Sequence, residues 1–329
     1  MKRFLYLLLL PLLLVLGACS KPEPVVEVQP EEPVAETKPT EAVSVSGPFK
    51  YETVGDAITI TGCDEKASGA LIIPVAIEGK SVTSIGPRAF GDCTSLTGIT
   101  IPDGVTSIGY SAFYDCTSLT IITIPDGVTS IGDNAFHFCS SLTSITIPDS
   151  VTSIGKSAFG HCTSLTGIRI PDGVTSIGYA AFANCSSLTS ITIPDSVTSM
   201  GASAFGNCGS LTSIAIGNGV LSIGKHTFGN CDRLKSITLP NSVTSIEMGA
   251  FNSCESLTSI TLPDSVTSIE EEAFSCCESL TTVTFLGDAP KAGEEVFDEV
   301  SPTIYRKPEA EGWGETWGGR PVKLITEKP

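Results

Sequence analysis

Residues 93–116 read Cys-Thr-Ser-Leu-Thr-Gly-Ile-Thr-Ile-Pro-Asp-Gly-Val-Thr-Ser-Ile-Gly-Tyr-Ser-Ala-Phe-Tyr-Asp-Cys, and the chain then repeats itself. Cysteines stand at 93, 116, 139, 162, 185, 208, 231, 254 and 277, each 23 residues after the last, and phenylalanines keep that step from 90 to 274. A fixed period of this length marks a stack of like units, each touching only its neighbours. Within one unit, Leu96, Ile99 and Ile101 alternate with Thr in the manner of a half-buried strand, and Pro102, lacking an N–H, ends it. Pro-Asp-Gly or Pro-Asp-Ser then turns the chain. Val105 and Ile108 return to the core, Gly109 eases a second turn, and Ala112-Phe113 fill the far side on an expected short helical or 3₁₀ turn. A lone unit buries too little to offset the ordering entropy of its backbone, so stacking must supply the rest. Nine such strands predict one parallel sheet roughly 40 Å long.

Working outward from the repeats, both ends depart from the pattern. Residues 49–95 are expected to form an N-terminal cap and first half-repeat, 96–285 the solenoid, and 286–329 a C-terminal cap in which the step is lost after Phe285. The two tryptophans, Trp313 and Trp317, fall in that last segment and read as a lid over exposed core, with carbohydrate stacking as the alternative. Upstream, residues 20–48 hold six Pro, six Glu, two Lys and no aromatic. This composition predicts a disordered tether reaching between about 30 Å and about 90 Å, with nothing before Phe49 built into the fold. Residues 1–18 combine Lys2 and Arg3 with an apolar run too short to cross a bilayer as a helix, the pattern of a cleaved secretory signal. Leu16-Gly17-Ala18-Cys19 resembles a bacterial lipobox, which implies acylation of Cys19 and a lipid anchor.

The repeat consensus, with Leu-x2-Ile-x-Ile-Pro and Ile-Gly-x2-Ala-Phe-x2-Cys, closely resembles the bacterial BspA-like leucine-rich repeats from about residue 82 to residue 285. Exceptions are Met200 for Ile, Gly217 for Pro, Thr227 for Ala, and Glu247 and Glu270 for Gly. The resemblance implies a leucine-rich repeat solenoid (an α/β horseshoe), strands on the concave face, and a surface-exposed protein used for adhesion or protein binding. Joined to the lipobox, it implies a lipid-anchored protein of the bacterial cell envelope, at the outer membrane and facing outward, with host extracellular-matrix, host surface or envelope proteins as partners. The alternative is a structural or periplasm-facing envelope lipoprotein without a host ligand.

The chain's 329 residues carry 36 acidic against 19 basic side chains, a formal charge of −17. That excess argues against nucleic acid and against an anionic membrane as partner, except through the Cys19 lipid. No phosphate-binding glycine loop or zinc-hydrolase motif occurs, the repeated Asp and Ser are scaffold, and no cofactor or enzymatic activity is expected. The ladder cysteines are expected as reduced core thiols, because identical positions present parallel Cβ vectors that a disulfide does not accept. An Asp after each strand-ending Pro suggests Ca²⁺ or, more simply, a turn residue. The three His do not share a register in the repeat, so a metal row is not expected. On the outward strand positions small hydroxyls dominate, including Thr100, Thr123, Thr146 and Thr192. Ile121 and Arg169 alone break that ladder with size or charge, so these six residues are the candidate partner surface.

Overall fold

The strand at Leu96–Thr100 forms as its sequence dictates: Leu96, Ile99 and the following Ile101 are buried and Thr100 is exposed. It pairs in parallel with Gly69–Ile72 on one side and Ile121–Thr123 on the other. In this computed structural model, which describes residues 44–327, the pattern repeats through about 11 turns as a β-solenoid with parallel sheets and almost no helix. The expected signal, Cys19 and most of the expected tether lie outside the described residues.

The first ladder is not one continuous sheet. It runs from Gly69–Ile72 to a bridge at Thr146, resumes with the bridge between Gly167 and Ser190, and continues through Ser190–Ile193, Ser213–Ile216 and Ser259–Leu262 to Thr303–Arg306 and Arg320–Leu324. A second parallel ladder, not expected from sequence, stacks the Ser-Ile pairs at 107–108, 130–131, 153–154 and 176–177 directly over one another. Val105 and Ile108, three apart, read in the sequence as a return to the core with no strand period. In the structure Ile108 belongs to a two-residue strand whose partners are supplied only by neighbouring turns.

The expected helical or 3₁₀ turn around Ala112-Phe113 does not form. Ser111 and Asp115 take left-handed φ of 52° and 56°, which interrupts any helix. The amides of Ser111, Phe113 and Asp115 donate forward to the carbonyls of Asp133, Ala135 and His137 at 2.8–2.9 Å, while those of Ala112, Tyr114 and Cys116 turn back on Gly109, Ser111 and Phe113. Alternate amides thus join this turn to the next, and the 3₁₀ turn at Ile325–Glu327 is the one helical element among the described residues.

Two columns line the far side of a core that the buried Leu, Ile, Val and Ala of each turn complete. Phenylalanines from Phe90 to Phe297 stack with centroids 5.1–5.8 Å apart and planes within 19°, and Phe49 closes the column edge-on at 6.2 Å. Beside them the thiols are free and buried. Cys116 donates to the Phe90 carbonyl at 3.1 Å, and each ladder thiol through Cys277 repeats the bond to the Phe 26 residues earlier. Cysteine therefore serves as a small apolar side chain that also satisfies a buried carbonyl.

Two boundaries shift. Ser44–Ser46 pairs antiparallel with Phe49–Val54, so ordered pairing begins before Phe49. At the other end the step survives Phe285 by one turn. Gly293, Phe297 and Val300 lie 23 residues after Glu270, Phe274 and Cys277, and Phe297 and Val300 are buried. The exchange of Ile-Gly for Ala292-Gly293 and of Cys for Val300 hides that turn in the sequence. Trp317 is buried on Phe285 at 4.9 Å and Phe297 at 5.9 Å, with its indole N–H donating to the Pro290 carbonyl at 2.8 Å. Trp313 packs on Phe285 as well, so both rings cover the end of the core rather than stand free for a sugar.

Candidate binding face

Every outward position of the first ladder is set by the period-two alternation of its strand, so the chemistry of that face is chosen residue by residue without touching the core. Thr100, Ile121, Thr123, Thr146, Arg169 and Thr192 are all exposed there. Thr100 lies beside Thr123, Thr123 beside Thr146, and Thr192 beside Ala215. Thr284, an expected outward position, is instead buried against the added strand Thr303–Arg306, where it pairs with Tyr305.

Arg169 stands where the ladder fails. No pairing among the described residues joins its turn to Thr146, and Gly167 alone pairs forward, to Ser190. The guanidinium is drawn back to Asp149 of the preceding turn, Nη1 to Oδ1 at 2.6 Å, and lies 3.8 Å from Asp172. The hydrogen bond that Arg169 donates to Asp149 raises its pKa above the ordinary value, so it stays cationic at all relevant pH. The pair is exposed, and its consequence is orientation more than stability. Gly167 has open space where a Cβ would stand, and Ile168 beneath it is only partly buried, whereas Ile99, Ile122, Ile145 and Ile191 at the same position are buried.

The result is a depression of about 370 Å³ bordered by Gly167, Ile168, Arg169 and Thr192, continuous through Asp172, Thr192 and Pro194 with one of about 600 Å³ reaching Asp195 and Gly217. One cation among Asp149, Asp172 and Asp195 leaves the groove net acidic.

Ile121 is not part of that groove. Its side chain is 63% exposed and leans over the bare backbone of Gly98, where an added Cβ would sit 3.4 Å from Cγ2. Ile72 and Val75, 74% and 75% exposed, extend the same apolar end of the molecule. Sequence reasoning missed them because a register shift between Gly69 and Ala70 decides which member of Leu71-Ile72-Ile73 faces outward. Structure therefore divides the six candidates into an apolar patch, a hydroxyl strip and an acidic groove around Arg169.

Two of the turn aspartates are used by neighbouring turns: Asp195 accepts the Asn218 amide at 2.7 Å, and Asp149 holds Arg169. No group of three or more His, Cys, Asp or Glu among the described residues is arranged for a metal. The choice between Ser and Gly after Asp follows the same logic, since Ser150, Ser196, Ser242 and Ser265 donate to the Val carbonyl of the preceding turn at 2.6–2.7 Å.

Among solved structures the chain is similar to a leucine rich cell surface protein from Faecalibacterium prausnitzii, 28% identical over 76% of this chain and 96% of that one, with a TM-score of 0.36. A leucine rich repeat protein of T. pallidum is 26% identical over 73% and 91%, TM-score 0.44. A leucine-rich repeat protein from Bacteroides ovatus is 23% identical over 86% and 99%, TM-score 0.39. No curated protein matches the chain. The model of the BspA type leucine rich repeat region matches residues 72–188 and 175–303, the span in which strand, turn and Phe–Cys column recur. By that match, which takes in most of the chain, this protein belongs to the BspA type leucine rich repeat family.

Proposed function

We propose that this protein is a lipid-anchored component of the bacterial cell envelope whose solenoid binds other proteins, as a surface adhesin or receptor, through the first-ladder face. The observation that carries the reading is the break at Arg169. Within the repeats at residues 96–285, Arg169 is the one cation at an outward strand position, and it stands with a partly uncovered isoleucine and a net acidic groove where the pairing of the first ladder lapses. Such a groove favours a basic protein segment, with Arg169 giving register. The lipobox supports anchoring at Cys19, where burial of acyl methylenes at about 0.8 kcal/mol each holds a protein whose own charge avoids an anionic bilayer.

Photo-crosslinkers at Thr146, Thr192 and, as a control on another side, Asn230 test the face on intact cells. The expected result is one partner captured from the first two positions only and lost with Arg169→Ala; equal capture from Asn230, or no effect of Arg169→Ala, overturns it. Labelled palmitate incorporated by wild type and absent in Cys19→Ala tests the anchor. Proteinase added to intact cells should digest the solenoid, and protection would replace surface display with the periplasm-facing role.

A further inference from the structure

One cluster on the side opposite the ladders' strands departs from the repeat. The position after the core phenylalanine is Tyr114, His137 and Gly160 in successive turns. The next position has left-handed φ in every described turn and carries Asp92, Asp115, Asn184, Asn207 and Asn230, which tolerate it, and Ser253, Cys276 and Glu299 toward the C-terminal end. Phe138 and His161 occupy it at φ of 63° and 59°. Phe138 and His161 are the only rings at this position among the described turns, which otherwise carry Asp, Asn, Ser, Cys or Glu, and they stand in adjacent turns.

The two irregular turns bring together side chains that the sequence keeps out of register. His137 and His161 have ring centroids 5.3 Å apart, with Phe138 4.5 Å from His161 and Tyr114 stacked on His137 at 5.8 Å. Arg88 covers the outer face of Tyr114 at 5.3 Å, its charge offset by Asp92 at 2.7 Å. Gly160 is bare because the His137 ring lies over it; a Cβ there would sit 2.9 Å from Nδ1.

Each imidazole has one nitrogen committed. His137 Nδ1 is 3.2 Å from the Ser157 carbonyl, which only accepts, so Nδ1 carries the proton and Nε2 the lone pair. His161 Nε2 is engaged by the Asn184 amide at 3.3 Å. The amide nitrogen of Asn184 donates to the Nε2 lone pair; with a metal on Nδ1 the ring proton would move to Nε2 and the amide would turn its oxygen to accept it. A carbonyl or amide on the far nitrogen is the outer-shell support that metal-binding imidazoles use. Two imidazoles on one tetrahedral ion, with metal–nitrogen bonds of about 2.0–2.1 Å, hold their centroids about 5 Å apart.

We propose that His137 and His161 form a two-imidazole site for a borderline transition-metal dication, Zn²⁺ or Cu²⁺, whose remaining positions are taken by water or by a group that a docking protein brings. Imidazole suits these ions, and hard oxygen-seeking Ca²⁺ and Mg²⁺ are excluded by the donor set. Gly160 and Asn184 act as positioning residues.

The test is calorimetric titration of the full chain with Zn²⁺, paired with pulsed EPR of its Cu²⁺ complex. One saturable site per chain is expected, with two coupled imidazoles in the wild type. In His137→Gln and His161→Gln one imidazole remains and affinity falls at least tenfold; His226→Gln, whose ring lies over Gly249 several turns away, leaves both unchanged. Gly160→Ala, which removes no donor but displaces the His137 ring, lowers affinity as well. A wild type without a saturable site, a Cu²⁺ spectrum without two imidazoles, or unchanged affinity in both histidine variants overturns the proposal, whether or not any variant has lost stability.

Discussion

The thiol column shows how one atom type settles several demands at once. A ladder cysteine fills a methyl-sized place, donates to a buried carbonyl and remains protonated, because burial penalises the thiolate. Burial pushes Cys139, Cys162, Cys208 and Cys231 up, and Cys185 up to about 12. In the unfolded chain the same thiol ionises near its reference value of 9.0, so the unfolded state releases protons first as pH rises. The contribution of Cys185 is therefore full below pH 9 and is lost progressively toward pH 12, at about 1.4 kcal/mol per pH unit for a single thiol. Denaturation followed at pH 8 and pH 10 should show that loss, and Cys185→Val should show a shallower one. A disulfide-exchange reagent should find Cys276, which is partly exposed, in the native protein, and the ten buried thiols only after unfolding. Rapid reaction of several thiols in the folded state would contradict the packing.

At the scale of elements, neighbouring turns are joined on three sides, and the two ladder breaks fall at different interfaces. The first ladder opens between Thr146 and Gly167, where the second still pairs Ser153–Ile154 with Ser176–Ile177. The second stops between Ser199–Met200 and Ser222–Ile223, where the first still pairs Ser190–Ile193 with Ser213–Ile216. On the third side the amides continue through both places, Ser157 to Tyr179 and Ser203 to Lys225 at 2.8 Å. Each interface therefore keeps two of its three attachments in full, and at the first break Thr166 still donates its amide to the Thr143 carbonyl at 3.3 Å, so one face loosens without dividing the stack. Amide hydrogen exchange should be faster for residues 168–170 than for Ser190–Ile193, by roughly tenfold or more, because exchange follows local opening. Equal protection would mean that the first ladder is closed at Arg169.

For the whole molecule, stability is a sum over turns and their interfaces, so an interior substitution is felt on both sides and an end substitution on one. Phe182, with rings of Phe159 and Phe205 each 5.3 Å away, is expected to cost about 3–5 kcal/mol as Phe182→Ala. Trp317→Ala uncovers Phe285 and Phe297 at the C-terminal end only. Thermal unfolding should place Phe182→Ala well below wild type and show Trp317→Ala fraying from its end, with early loss of Trp313 fluorescence. A larger loss of melting temperature in Trp317→Ala than in Phe182→Ala would contradict the additive picture.

The 23-residue step, the strand with its Pro stop and the buried Phe and Cys columns were legible in residues 93–116 and their repetition, because each follows from local periodicity, and the family in the resemblance that this consensus carries. Sequence also confined outward variation to a few places, Ile121 and Arg169 among them. Tertiary structure alone decided what depends on a neighbouring turn. The Ser-Ile pairs become a second ladder only when stacked, and left-handed residues replace the expected helix because alternate amides find partners 22 residues on. Arg169 meets Asp149 only because stacking brings the preceding turn within reach. His137 and His161, out of register along the chain, meet in space because consecutive turns lie side by side.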